Sequence, residues 1–182
     1  GKNGAGKTTT LKACMGIITI TEGDILLDGI SVVKEPIVCK RKMAYVPDTP
    51  RLEEYMTGIQ YLNFVCDIYQ ISAKERKQNI ERLTHAFQME PHISGLISSY
   101  SHGMKQKVAL IAAFSHNPKL LVLDEPFVGL DPEAFIALKE QMKMLCRKGS
   151  SVLFSSHILD VVEKLCNKIS ICLLYTSDAA DE

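Results

Sequence analysis

The sequence has no excess of charge of either sign. Lysine plus arginine and aspartate plus glutamate each number 21, so the formal net charge at pH 7 is +0. Such a balance provides no bulk electrostatic attraction to nucleic acid or to an anionic membrane surface. We therefore expect no nucleic-acid partner.

Two sequence patterns are also missing. No apolar run approaches the ~20 residues that a helix needs to cross a bilayer, so we expect any membrane role to be exercised through a partner. None of the cysteines forms C-x-x-C or pairs with histidine at zinc-finger spacing. We expect them to be reduced and buried, as in a cytosolic protein. The six are Cys14, Cys39, Cys66, Cys146, Cys166 and Cys172.

Apolar runs alternate with helical patterns along the chain. Strands are predicted at "KMAYVPD", "KLLVLDEP", "SSVLFSSH" and "KISICLL", and "GDILLDGIS" is typical of a hairpin. A helical pattern runs from Thr57 to about Phe87, and another helix is predicted to begin at Ser101. Alternating strands and helices indicate an α/β fold with a mostly parallel sheet. The helical segment at about 51–115 is predicted to be an insertion into that core.

The first motif is "GKNGAGKTT", residues 1–9, which fits G-x-x-x-x-G-K-[ST]. Glycines let successive backbone N–H groups curl around a phosphate, and the following helix directs its positive end at the same point. Lys7 supplies a mobile charge for the outer phosphates, and the Thr8 hydroxyl can bind Mg²⁺. The alternative is an ordinary glycine-rich turn.

The second motif is "LLVLDEP", residues 120–126. It puts Asp124 at the carboxyl end of a buried strand, where ligands bind in open α/β sheets. Asp124 would hold Mg²⁺ through its water, and Glu125 would act as general base on the attacking water. The alternative is an acidic pair that caps the next helix. Together with the first motif, it favours nucleotide hydrolysis.

Two further features are compatible with phosphate contacts. In "YSHGMKQK", Ser101 is a good helix N-cap and Gly103 allows the backbone to approach an anion, although an ordinary capped helix would show the same pattern. His157 follows the apolar strand "SVLF", where it could donate to a γ-phosphate and orient the water. A purely structural histidine is the alternative.

Taken together, these motifs resemble the ATP-binding cassette (ABC) ATPases, which are P-loop NTPases. Residues 1–9 look like their Walker A motif, "LLVLDEP" like Walker B, "GLD" like the D-loop, "SSH" like the switch histidine and "YSHGMKQK" like the signature segment. The resemblance covers residues 1 to about 171. It is strongest to bacterial exporter ATPases of the Ecs and bacitracin-resistance type.

The resemblance implies roles for particular residues. Catalysis would fall to Glu125 and His157, and Mg²⁺ would be held by Thr8, Asp48 and Asp124. Asp48, in "YVPDTP", stands where the family usually has glutamine, and His102 replaces the second residue of the signature. We expect these departures to alter tuning without abolishing the site. The residues implied to bind ATP are Asn3, Gly4, Ala5, Gly6, Lys7, Thr8, Thr9, Ser101, Gly103 and Asp131.

The resemblance also implies partners and a location. Two cassettes would face head to tail, with each ATP between one Walker A motif and the other subunit's signature. The pair would drive a separate membrane permease from the cytoplasmic face of the membrane, as the peripheral ATPase of an exporter. Two rival hypotheses are a soluble ABC-type ATPase acting on the ribosome or DNA, and a nucleotide-binding regulator that no longer hydrolyses ATP.

Both ends of the chain carry an expectation. A phosphate loop needs a strand leading into it, so we expect the ABC ATPase domain, residues 1–171, to be truncated at its N-terminus and this fragment to be inactive by itself. Residues 172–182 resemble the translation of a sequencing-library adapter. We expect them to be a non-native tail; the alternative is a natural polar C-terminus.

Overall fold

The computed structural model describes residues 6–170. The expectations for Asn3, Gly4, Ala5 and Cys172, and for the tail at 172–182, lie outside the described residues. Between residues 6 and 170 there are α-helices and β-strands in the following order: α1 (Lys7–Cys14), β1 (Leu26–Leu27), β2 (Ile30–Ser31), α2 (Pro36–Lys40), β3 (Met43–Val46), α3 (Gly58–Ile68), α4 (Ala73–Ala86), α5 (His102–Ser115), β4 (Leu120–Leu123), α6 (Pro132–Arg147), β5 (Ser151–Phe154) and α7 (Leu159–Leu165).

Strands β3, β4 and β5 form a parallel sheet in that spatial order. Leu121, Val122 and Leu123 on the middle strand are fully buried, because helices cover both faces of the sheet. The register pairs Val46 with Leu123 and Leu123 with Phe154. All three strands therefore end at one edge of the sheet. The predicted α/β class with a parallel core is confirmed.

Helices α3, α4 and α5 lie between β3 and β4 in the chain and pack against one another around a buried core. The helical pattern predicted from Thr57 to Phe87 is divided in the structure. Gln70 adopts a left-handed conformation with φ 57°. The Ser72 hydroxyl then accepts the Glu75 N–H and starts α4. A change of chain direction, which periodicity does not reveal, separates the two helices.

A stacked aromatic pair ties these helices to the start of β3. The Tyr69 and His116 rings lie 3.6 Å apart with an interplanar angle of 10°. The Tyr69 hydroxyl donates to the Met43 carbonyl at 3.2 Å, and His116 Nε2 lies 3.3 Å from the same oxygen. This junction sits at the opposite end of β3 from the edge where the strands end.

Three other expectations can be compared with the described part of the chain. The predicted hairpin is present, with Asp28 and Gly29 at positive φ in its two-residue turn. Cys39 and Cys66 are buried as expected. Cys14 and Cys166 are only half-buried and Cys146 is exposed on α6, so the expectation of burial was wrong for these three. The strand expected at "KISICLL" is not formed by residues 168–170, and its remainder lies outside the described residues. No helix between residues 6 and 170 is long and apolar enough to cross a membrane.

Candidate functional site

The candidate site lies where β4 and β5 end. Asp124 follows β4 and is 1% exposed, and Ser155 follows β5 and is 7% exposed. The backbone N–H of Asp124 donates to the Val46 carbonyl at 2.9 Å, and that of Ser155 donates to the Leu123 carbonyl at 3.0 Å. These bonds extend the sheet by one residue beyond each strand. They hold the side chains at fixed positions along a common edge.

The first helix brings a threonine to this edge. Gly6, at φ 85°, is the N-cap of α1, and a β-carbon there would meet nothing within 4 Å, so backbone conformation alone favours glycine. Lys7 and Thr8 then form the first turn of α1, with Thr9 exposed beside them. The helix N-terminus therefore points its positive end toward the acidic edge.

Asp124 is held by two hydroxyl groups. Thr8 Oγ1 donates to its Oδ2 at 2.5 Å, and Ser155 Oγ donates to its Oδ1 at 2.5 Å. Because the Thr8 proton is directed at Asp124, the lone pairs of the Thr8 oxygen face away and can bind a cation. A hydroxyl oxygen backed by a buried carboxylate fits Mg²⁺, a hard cation that prefers oxygen ligands.

The donor set also limits the kind of metal site. Among residues 6–170, no group of three or more His, Cys, Asp or Glu side chains could hold a metal ion by itself. Mg²⁺ usually takes one or two carboxylates plus substrate phosphates and water. The residues present therefore fit Mg²⁺ that arrives with a nucleotide, with Thr8 and Asp124 as the protein side.

Glu125 lies between two basic side chains. Its Oε1 is 3.2 Å from the Lys7 ammonium, and its Oε2 is 2.8 Å from His157 Nδ1. Because a carboxylate only accepts hydrogen bonds, Nδ1 is the donor to an ionised Glu125. The Glu125 backbone is at φ 45°, an unfavourable conformation for a residue with a side chain, and its N–H donates to Ser155 Oγ at 2.9 Å. The hydrogen bond to Ser155 thus holds the strained Glu125 backbone in place.

Asp48 shares a cavity with these residues. The cavity is about 250 Å³ and is lined by Asp48, Thr49, His102, Glu125, Val128 and His157. Asp48 is exposed in the loop after β3, and its Oδ1 accepts the Thr49 N–H at 2.8 Å. The structure thereby brings Asp48, Glu125 and His157, three of the predicted site residues, around one space.

The signature segment packs against the turn that follows Walker B. Ser101 is the N-cap of α5 and accepts the Met104 N–H at 3.2 Å. A β-carbon on Gly103 would come within 2.8 Å of the Gly129 carbonyl oxygen. The lack of a side chain at Gly103 is therefore required by packing within the chain, a reason that the sequence did not reveal.

Both carboxylate oxygens of Asp131 contact residues of its own chain. Its Oδ1 accepts the Ala134 N–H at 2.8 Å as N-cap of α6, and its Oδ2 lies 2.5 Å from the Lys107 ammonium. The hydrogen bond from Lys107 is the largest of several contacts that lower the pKa of the Asp131 carboxyl. Both oxygens are engaged, so a nucleotide contact by Asp131 would have to share one of them or displace a partner.

Sequence reasoning missed Ser155 and Lys107. Ser155 stands first in "SSH" after β5, and its place beside Asp124 depends on β4 and β5 being neighbours. Lys107 is nearly buried on α5, and nothing in the local pattern links it to Asp131. Ser155 could have been found as a serine directly after a buried strand. No local signal pointed to Lys107.

A helix that opens from a glycine beside a buried aspartate and a glutamate, at the carboxyl edge of a parallel sheet, defines a P-loop ATPase. A family model described as "ABC transporter" matches residues 1–128. The chain belongs to the ABC transporter family and resembles its ATP-binding proteins. The resemblance inferred from the motifs is confirmed.

Individual relatives agree with this assignment. The chain is 37% identical over 171 residues to the ABC-type transporter ATP-binding protein EcsA of Bacillus subtilis (strain 168), covering 94% of this chain and 69% of EcsA. It is 34% identical to the ABC transporter ATP-binding protein NatA of the same organism, over 93% of this chain and 69% of NatA. Identity to the linearmycin resistance ATP-binding protein LnrL, also from that organism, is 33% over 94% of this chain and 55% of LnrL.

Solved structures share the fold. A structure described as the ATP binding subunit of an ABC transporter superposes with a TM-score of 0.87 at 38% identity, covering 91% of this chain and 69% of that chain. The ATP-binding cassette MJ0796, solved as a dimer in a post-hydrolysis state with ADP and Pi, superposes with a TM-score of 0.78 over 88% of this chain and 73% of its own. At 22% identity, the second likeness concerns the fold alone.

Proposed function

We propose that this chain is the ATP-binding and ATP-hydrolysing subunit of an ABC exporter and drives a separate membrane permease. The observation that carries the proposal is the position of the Glu125 carboxylate, which contacts Lys7 and His157 beside the buried Asp124 and its donor Thr8. This arrangement combines a phosphate-binding cation, an oriented base and an oxygen-rich metal position at one edge of the sheet.

Glu125 acts as general base in this proposal. Phosphate oxygens compete with its carboxylate for the Lys7 ammonium, since both are anionic acceptors. When Lys7 turns to phosphate, Glu125 keeps the hydrogen bond from His157 and can accept a proton from water. His157 is 57% exposed in its side chain and reaches the same cavity, where it orients the base and the water.

The metal position is assigned to Thr8 and Asp124, with Asp48 reaching it from the loop after β3. Mg²⁺, when bound, would neutralise charge on the phosphates. Asp124 accepts from Thr8 and fixes the direction of its lone pairs. Asn3, Gly4, Ala5, Gly6 and Thr9 complete the phosphate loop in this proposal.

A second cassette completes the site. The cavity beside Glu125 is about 250 Å³, below the ~300–1,000 Å³ of typical ligand pockets, as expected for one wall of a shared site. Ser101 and Gly103 would contact the nucleotide of the partner, and Asp131 would lie at the dimer interface. A relative of this fold has been solved as a dimer with ADP and Pi.

The domain assignment is part of the proposal. The ABC ATPase domain comprises residues 1–171, and its helical subdomain comprises about 51–115. This subdomain and the Asp48 loop pass the motion of the dimer to the permease on the cytoplasmic face of the membrane. The exporter assignment draws support from the likeness to a linearmycin resistance ATP-binding protein.

Purification of the full-length gene product from its native membranes tests the proposal. A multi-spanning permease should co-purify with it, and ATP turnover by the complex should require Glu125. Recovery with ribosomes or DNA and without a membrane protein would instead support the soluble ABC-type alternative. A complex that binds ATP but never turns it over would support the regulator.

A further inference from the structure

The hydroxyl of Tyr45 is buried and has no hydrogen-bond partner among the described residues. Tyr45 is the third residue of β3 and pairs in register with Val122 of β4. Its side chain packs against the smaller of the two core clusters, which includes Leu11 of α1 and Met43. The ring of Tyr45 therefore lies on the face of the sheet that α1 covers.

A buried hydroxyl without a partner is unfavourable, because it gives up its bonds to water and gains none. Phenylalanine would fill the same space with the same ring and no such loss. Packing alone therefore gives no reason for a tyrosine at this position. We therefore look for an acceptor that comes within reach of the hydroxyl when the site rearranges during function.

The register of the sheet identifies the part of the site that Tyr45 faces. Asp124 comes two residues after Val122, the partner of Tyr45 in β4, so the side chains of Tyr45 and Asp124 leave the sheet on the same face. Burial raises the pKa of Tyr45 to about 12, and the negative charges of Asp124 and Asp48 contribute to that increase. The phenol consequently remains protonated at any working pH and can only act as a neutral donor or acceptor. Asp124 and Asp48 are carboxylates, which only accept hydrogen bonds, so the phenol would be the donor in any bond to them.

Both carboxylates can accept a further hydrogen bond. The Asp124 oxygens receive one donor each, from Thr8 and Ser155, and every carboxylate oxygen has a second lone pair. Asp48 is exposed in its loop, so its side chain has room to turn. A neutral donor can orient these carboxylates and leave them the negative charge that attracts a cation. A lysine in the same place would cancel that charge.

We propose that Tyr45 is a positioning residue of the metal–nucleotide site, whose hydroxyl donates a hydrogen bond to the acidic edge formed by Asp124 and Asp48 when Mg²⁺ and nucleotide bind. The inference rests on the proposed function, since it needs Mg²⁺ and nucleotide at this edge. Tyr45 acts through the carboxylates and contacts no reacting atom.

Tyr45→Phe in the full-length gene product separates positioning from packing. Two quantities are measured for each variant: the Tm, and the affinity for the fluorescent analogue mant-ATP with Mg²⁺ and with EDTA. The ratio of the two affinities reports how strongly Mg²⁺ tightens nucleotide binding. Tyr69→Phe is the matched control, because it loses a hydroxyl bond to Met43 at the other end of the same strand.

Tyr45→Phe should have an equal or higher Tm, since an unpartnered hydroxyl is removed, and its Mg²⁺-dependent tightening should fall about threefold to tenfold. Tyr69→Phe should lower the Tm and keep the wild-type ratio. If Tyr45→Phe keeps the wild-type ratio while Mg²⁺ tightens binding to the wild type, the positioning role is wrong and the proposed function stands. If Mg²⁺ has no effect on the wild type, the metal position assigned to Thr8 and Asp124 fails, and this inference with it, whereas the proposed ATPase activity is tested separately by turnover.

Discussion

Ser155 donates a hydrogen bond to Asp124 over 2.5 Å, and both side chains are buried. Each residue is the first after its strand, and the strands are parallel neighbours. The same serine oxygen accepts the Glu125 N–H at 2.9 Å. One hydroxyl therefore fixes the carboxylate assigned to the metal and the backbone of the residue assigned as base.

Ser155→Ala should impair both functions of that hydroxyl. The substitution removes one donor to Asp124 and leaves the Glu125 N–H without its acceptor. We therefore expect the free energy of unfolding, measured by urea denaturation, to fall by about 1–3 kcal/mol. ATP turnover should fall as well, because Glu125 sits on a strained backbone at φ 45° that this bond supports. Ser156→Ala is the control, because the Ser156 hydroxyl accepts the Ile158 N–H two residues along the chain and does not contact Asp124 or Glu125. Equal effects of the two variants would contradict the assigned role.

The Tyr69–His116 pair should make stability depend on pH. Burial is the main cause that lowers the pKa of His116 below 6.5, and nearby backbone carbonyls partly offset it. Below pH 6.5 the His116 imidazole therefore binds more protons in the unfolded chain than in the folded one, so its contribution to the free energy of unfolding should fall as the pH drops from 6.5 toward the lowered pKa. Above that window the contribution is fully present.

His116→Phe should keep the stacking on Tyr69 and lose this titration. Urea denaturation at about pH 7.5 and about pH 5.5 should show a smaller pH effect for the variant than for the wild type. The same decrease in both proteins would show that other groups are responsible and that His116 is not the titrating residue.

Ser101 is proposed to act on the nucleotide of a partner subunit. Ser101→Arg and Lys7→Ala should each abolish turnover in homodimers. Mixing the two variants should restore part of the activity, because one site in each mixed dimer keeps both residues. A Ser101→Arg homodimer with normal ATPase activity would exclude a role for Ser101 in a shared site.

The functional residues at the strand ends could be predicted from sequence. The contacts that join the residues of different strands could not. Asp124 and Glu125 follow a short apolar run, so their place at a strand end depends on local pattern alone. Ser155 acquires its role only because β5 lies beside β4, and the local pattern does not order the strands. The Lys107–Asp131 ion pair likewise joins α5 to the N-terminus of α6. Exposure of Cys146 depends on which face of α6 it occupies.

Glu125 is proposed as the base for ATP hydrolysis, and phosphate release by Glu125→Gln is the sharpest test of that role. The substitution keeps the shape of the side chain and removes the proton acceptor. Glu133→Gln, an exposed change in the first turn of α6, is the control. In the full-length gene product, Glu125→Gln should lower turnover by at least ~10²-fold while mant-ATP binding is retained, and the control should match the wild type. Turnover at the wild-type rate in Glu125→Gln would show that Glu125 is not the base.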